Sequence, residues 1–208
     1  MPYLKKCSST NEPVDCRILV AALDLFVERG FHNVSVHDVQ KRANVSIGSI
    51  YNHFGGKEGI AKALYDHLMK EFEEMIDEII AEELSDRERC NKIILQLFEY
   101  TEKRRNVVSY MLHAKHREFL PDEPPVCSST PFKAMRDIVQ QGMTSGEIRT
   151  GDPWIITAAL FGGAIRMIHL RLEGVIKHPL TCYYDELIDC VWRGMSPVDL
   201  PAMRKHSG

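Results

Sequence analysis

The sequence predicts an all-α protein, with an N-terminal helix-turn-helix head joined by one long helix to a helical body. Three observations carry this expectation. Apolar residues recur at three- and four-residue spacing along most of the 208 residues, and no run alternates as a strand would. Leu, Ile, Ala, Glu and Lys are plentiful, while Gly (13) and Pro (10) are sparse, a balance that favours helices. The stretch 35–60, SVHDVQKRANVSIGSIYNHFGGKEGI, reads as two short helices joined by a tight turn, with a third starting directly after them.

Residues 1–12 lack periodicity and read as a loose arm. From Pro13, Val14, Ile18, Ala21, Ala22, Leu25 and Phe26 keep helical spacing up to Gly30, a natural stop. Ser35 can cap a helix whose apolar face is Val36, Val39 and Ala43, and Asn44 tolerates the left-handed backbone of a sharp turn. Ser46 can cap the next helix, in which Ile50 and Phe54 face inward with Val45. Its other face is polar and almost uncharged, unlike an ordinary solvated helix, but suited to a DNA groove. There Ser35, Lys41, Tyr51, His53 and Lys57 are placed for phosphates and Ile47, Ser49 and Asn52 for base edges, with Ser46 at the helix start and Gly48 permitting close approach. Lys57 opposes the dipole of the helix it opens, and a phosphate is the anion that would repay it.

A long helix over 59–84 then joins head to body without a Gly/Pro linker, so that a tilt at one end moves the other. Helices follow at 86–103 and 106–119, the second reading as continuous, and Pro-rich 121–131 is a loop. Further helices are expected at 131–146, 153–172 and 183–195. The helix at 153–172 is apolar around most of its girth and must be covered on both sides. The expected domains are the arm 1–12, the head 13–58, the body 59–195 and a tail 196–208.

Net charge is −3, yet residues 1–57 carry seven cations against five anions, +2, the sign of a DNA-binding head on an acidic body. The six cysteines are scattered without a Cys-x-x-Cys pair and read as buried thiols. The longest apolar run, 155–165, ends at Arg166, short of the ~20 residues that span a bilayer, so a cytoplasmic protein without membrane contact is expected. His113 and His116 could share a helical face, but a metal needs a third ligand that sequence does not identify, and no metal or cofactor is assigned. No nucleophile elbow, phosphate-cradling loop or zinc-protease helix appears, and an enzyme is not expected. Candidate pocket residues in the body are Tyr110, Met111, His113, Phe132, Met135, Phe161 and Arg166, with Arg166 expected to be buried against a carboxylate partner or an anionic ligand.

The head resembles the DNA-binding signature of the tetracycline-repressor (TetR) family of bacterial regulators. There an Ala-Gly-Val-Ser turn leads into Gly-x-x-Tyr-x-His-Phe and then Lys-Glu. Here these positions read Ala43-Asn44-Val45-Ser46, Gly48, Tyr51, His53-Phe54 and Lys57-Glu58, with Asn44 in place of the usual Gly. The match covers residues 14–60. The resemblance implies a repressor that binds a palindromic operator in double-stranded DNA as a homodimer and is released by a small-molecule effector. It also implies that the last two helices form half of an intersubunit four-helix bundle, through Phe161, Gly162, Ile165, Leu187, Val191 and Trp192. A redox or metal sensor built on Cys or His, or a helical small-molecule binder or enzyme, is the alternative.

Overall fold

The computed structural model describes residues 13–114, 116–123 and 128–197. All of the expected arm and most of the expected tail lie outside them. Ten α-helices and no strand occur among the described residues.

α1 (Val14–Arg29) starts behind Pro13 and stops where Gly30 turns to φ 78°, its N–H still bonded to the Phe26 carbonyl. A 3-10 turn, Phe31–Asn33, leads into α2 (Val36–Ala43), then α3 (Ile47–Phe54). α4 (Lys57–Ile80) is a 24-residue rod, about 36 Å long at 1.5 Å per residue. It begins two residues before, and ends four residues before, the bounds expected from periodicity. α5 (Asp86–Lys103) opens on a reciprocal cap between Ser85 and Glu88, in which each side chain accepts from the other's backbone N–H.

The helix expected over 106–119 is two. α6 (Arg105–His113) ends where Ala114 becomes extended at ψ 130°, and α7 (His116–Phe119) is one short turn. The break turns the His116 ring inward, against Tyr65 and Tyr110, with Nε2 3.1 Å from the Tyr110 carbonyl. Burial holds this imidazole below its ordinary pKa, opposed by the carbonyls of Tyr110 and Met111. An uninterrupted helix could not give His116 this position.

Of the expected loop 121–131, residues 124–127 lie outside the description. α8 (Thr130–Ser145) places Pro131 in its first turn, where a missing N–H costs nothing, and closes at Gly146 with φ 83°. α9 (Pro153–Leu172) is capped by the Asp152 carboxylate, which accepts from the N–H groups of Trp154 and Ile155. α10 (Tyr184–Met195) is tied to α5 by Trp192 Nε1, which donates to Asn91 Oδ1 at 2.6 Å.

One hydrophobic cluster runs from Ile18 and Phe26 in α1 through Leu64 and Leu68 in α4 to Trp192 in α10. Head and body therefore share an interior. α6 packs against α1, where Tyr110 stacks on Phe26 and Asn106 donates to Asp24 at 2.7 Å. The long helix is not the only link between them.

Candidate nucleic-acid interface and body cavity

The geometry of α2, the turn and α3 follows from local chemistry. Ser35 Oγ accepts from the Asp38 N–H at 3.2 Å, while Asp38 Oδ2 accepts from the Ser35 N–H at 2.8 Å, a reciprocal cap. Hydrogen bonds donated to the Asp38 carboxylate by the Ser35 hydroxyl and by its N–H hold this carboxyl below its usual range. The turn places Asn44 at φ 51°, ψ 56°, the left-handed conformation, with its N–H directed at the Gln40 and Lys41 carbonyls. Gln40 Nε2 donates to the Val45 carbonyl at 3.0 Å and fixes the exit. Ser46 Oγ accepts from the Ser49 N–H at 3.1 Å and starts α3.

The far end of α3 depends on a residue that periodicity did not single out. A Cβ built at Gly59 would lie 1.7 Å from the Phe54 carbonyl oxygen, so the first turn of α4 sits on the last residue of α3 at a distance only glycine permits. The Gly55-Gly56 pair makes the corner at φ 72° and 143°.

α3 buries Ile50 completely and presents Ile47, Gly48, Tyr51, Asn52 and His53 to solvent, with Ser46 exposed at its start. Tyr51 is 54% exposed, an unusual position for a large aromatic ring. Lys41 is exposed at the end of α2. Three expected contacts have internal duties. The Ser35 oxygen belongs to its cap, and the Ser49 hydroxyl lies 2.8 Å from Ser46 Oγ. Lys57 donates from Nζ to the Phe31 carbonyl at 3.1 Å and lies 4.2 Å from the Phe31 ring centroid. Neighbouring cations are likewise paired, Arg42 with Glu28 at 3.1 Å and Arg29 with Asp38 at 3.8 Å.

In the body, Phe72, Met75, Ile76, Leu97, Met111, Phe132, Met135, Ile165 and Ile168 are among the residues around a narrow cavity of about 30 Å³, lined by apolar side chains alone. Met111, Phe132 and Met135 were expected there. Tyr110 and His113 instead face a separate cleft of about 330 Å³ between α1 and the α6–α7 corner, beside Phe26, Phe31, His32 and Glu118. Phe161 is buried without lining the cavity. Arg166 is exposed, contrary to expectation, because α9 turns Leu160, Ala164 and Ile168 inward and leaves Arg166 opposite.

Of the residues expected between subunits, Phe161, Val191 and Trp192 are buried within this chain, while Ile165 and Leu187 are half-buried. The open face of α9 begins at Trp154 (58% exposed) and Ile155 (67%) and continues through exposed Ala158 and Ala159 to half-buried Gly162, which was among the residues expected there. The complete helix is 20 residues, longer than the run read as ending at Arg166. By length and composition alone it could cross a membrane, with 28% of its most apolar window buried inside the protein. The cysteines also differ from expectation: among the described residues Cys90 is a buried thiol, Cys182 and Cys190 are exposed, and Cys16 is disulfide-bonded.

A capped two-helix unit buttressed by α1, with an uncharged outward face on its second helix, defines a helix-turn-helix DNA-binding protein. Residues 18–64 match the family described as bacterial regulatory proteins, tetR family. This stretch is that family's DNA-binding domain, and the chain that carries it is a DNA-binding transcriptional regulator. It is 27% identical over 189 residues to the fatty acid metabolism regulator protein of Bacillus subtilis (strain 168), covering 89% of this chain and 97% of that one. The HTH-type transcriptional repressor Rv3405c of Mycobacterium tuberculosis (strain ATCC 25618 / H37Rv) is 41% identical over 64 residues, 31% of this chain and 34% of that protein. The crystal structure of FadR from Bacillus subtilis in complex with stearoyl-CoA superposes with a TM-score of 0.71 at 23% identity, over 84% of this chain and 96% of that chain.

Proposed function

We propose that the protein is a cytoplasmic repressor whose two copies pair through the open face of α9, insert α3 into successive major grooves of a palindromic operator, and release it when a long hydrocarbon chain occupies the body cavity. The head is residues 13–58 and the body 59–195. The observation that carries the reading is α3 itself, an exposed helix face with Tyr51, Asn52 and His53 and no acid, anchored by Ile50 beneath.

Pairing follows from α9. Ile155, Ala158, Ala159 and Gly162 form a flat apolar stripe, and a second copy covers such a stripe with the same stripe. Two-fold symmetry then sets the reading helices one DNA turn apart, about 34–36 Å, or a multiple of it. The effector class follows from the cavity wall, which offers no polar partner and suits an acyl chain. The structurally similar FadR was crystallised with stearoyl-CoA. A cavity of about 30 Å³ admits such a chain only by parting α4, α6 and α8, and α4 carries that displacement to the Phe54–Gly59 contact under α3.

The operator is obtained by selection from random duplexes, and its affinity is titrated with stearoyl-CoA, stearate and a short-chain acyl-CoA. The reading expects release by the long chains and little effect from the short one. A selected duplex that stays bound at saturating long-chain compound removes the effector assignment. No sequence preference over random duplex removes the regulator reading altogether.

A further inference from the structure

We propose that His113, His169 and Glu173 form a binding site for a divalent transition-metal ion of the zinc class, clamping the end of α6 to the end of α9. The site lies outside the apolar cavity, and none of its residues belongs to α2 or α3. Sequence pairs His113 with His116, but the helix break at Ala114 sends His116 into the core and leaves His113 to meet α9.

His113 Nε2 lies 3.0 Å from His169 Nδ1, and one oxygen of Glu173 completes a set of three donor atoms all within 4.8 Å of one another. Two imidazole nitrogens on a tetrahedral zinc ion, each about 2.0–2.1 Å from it, stand roughly 3.3 Å apart. The two rings therefore need a few tenths of an ångström to change from facing each other to facing a shared ion. His169 and Glu173 are one helical turn apart, so one rigid element supplies two ligands. Two imidazoles with one carboxylate select zinc and its neighbours over magnesium or calcium, which take oxygen donors.

The surroundings agree. His113 is the last residue of α6 and Glu173 the C-cap of α9, so two helix C-termini, each bearing partial negative charge, meet at the cluster. His113 and Glu173 are exposed and His169 is half-buried, which gives an ion a path from solvent and leaves a coordination position for water. Ser109 Oγ, 3.5 Å from His113 Nδ1, can receive the proton which that ring must carry on the nitrogen away from the ion. Two cations stand nearby, Arg166 one turn before His169 and Arg105, whose guanidinium donates to the Arg171 and Leu172 carbonyls at the end of α9, and the Glu173 carboxylate is the ligand that offsets them.

A shared proton between the two histidines would also account for 3.0 Å, and titration separates the two. The full chain, stripped with a chelator, is titrated with Zn(II) and with Co(II) at neutral pH. The expected result is one saturable equivalent per chain that disappears in His113→Ala and in His169→Ala. Glu173→Gln should weaken binding by more than the roughly 10–100-fold that loss of an outer partner costs. The cobalt complex should lack the charge-transfer absorption of thiolate ligands, and a Cys182→Ser/Cys190→Ser variant should bind as the wild type does. Zn(II) should raise the unfolding temperature of the wild type and not that of His169→Gln, which keeps the test valid if an alanine variant folds poorly. Stoichiometry and affinity unchanged in the histidine variants, or lost with the two cysteines, would overturn the site.

Discussion

Replacing Gly59 by alanine puts the helix-turn-helix geometry to its most direct test, because local propensity and packing predict opposite signs. On propensity alone, Gly→Ala within a helix stabilises by about 1 kcal/mol. In this protein the new Cβ would sit 1.7 Å from the Phe54 carbonyl oxygen and 2.8 Å from its carbon, both backbone atoms that no rotamer change can move. Reaching even 3.0 Å, the shortest separation real Cβ atoms tolerate, requires α3 and α4 to part by about 1.3 Å. Overpacking of this kind costs roughly 1–3 kcal/mol, and a clash with backbone belongs at the upper end. The net expectation is a loss of about 2 kcal/mol. Urea unfolding followed by far-UV circular dichroism should show a lower midpoint with an unchanged slope. Part of the strain is relieved by tilting α3, so operator affinity should fall about tenfold or more as base contacts are misplaced. A Gly59→Ala protein as stable as the wild type, and as tight on DNA, would refute the argument from close approach.

Four further outcomes are expected. Gly48→Ala meets only ordinary contact, 3.8 Å from Ser46 Oγ, so it should stabilise the protein by up to about 1 kcal/mol while weakening operator binding in mobility-shift titrations. Tyr51→Ala should lower affinity for every duplex, whereas Asn52→Ala should relax discrimination at one base pair by about 1–3 kcal/mol, read by titrating single-base variants. Ile155→Glu should shift the chain toward monomer in analytical ultracentrifugation, since it puts a charge on the proposed subunit contact. For His116, whose folded pKa is depressed, the unfolded chain takes up a proton first; stability should fall as pH drops below about 6.5, by at most ~1.4 kcal/mol per unit, and His116→Gln should flatten that slope in denaturant titrations across pH 5–7.5.

The head was legible because its signals are local. Ser35, Asn44 and Ser46 act on backbone within a few residues, so their chemistry can be read in a short window. The body was legible as helices but not as faces. Arg166 and Phe161 lie on a helix apolar around most of its girth, where periodicity cannot say which side meets the core. The break at Ala114 went unseen because no Gly or Pro marks it; its cause is tertiary, the burial of His116 between Tyr65 and Tyr110. Gly59 was missed for the same reason, since its constraint comes from an atom of another helix. The pairing of His113 with His169 joins residues 56 apart in sequence, beyond the reach of spacing rules.

The shared interior of head and body limits how this molecule can be cut. A fragment ending after residue 58 would strip α1 of Tyr110 and of the Asn106 amide that binds Asp24, leaving Phe26 wet. Fusions and truncation libraries that assume a detachable reading head should therefore yield insoluble or molten fragments, and chimeras exchanging effector specificity should keep α6 with the α1 it evolved against.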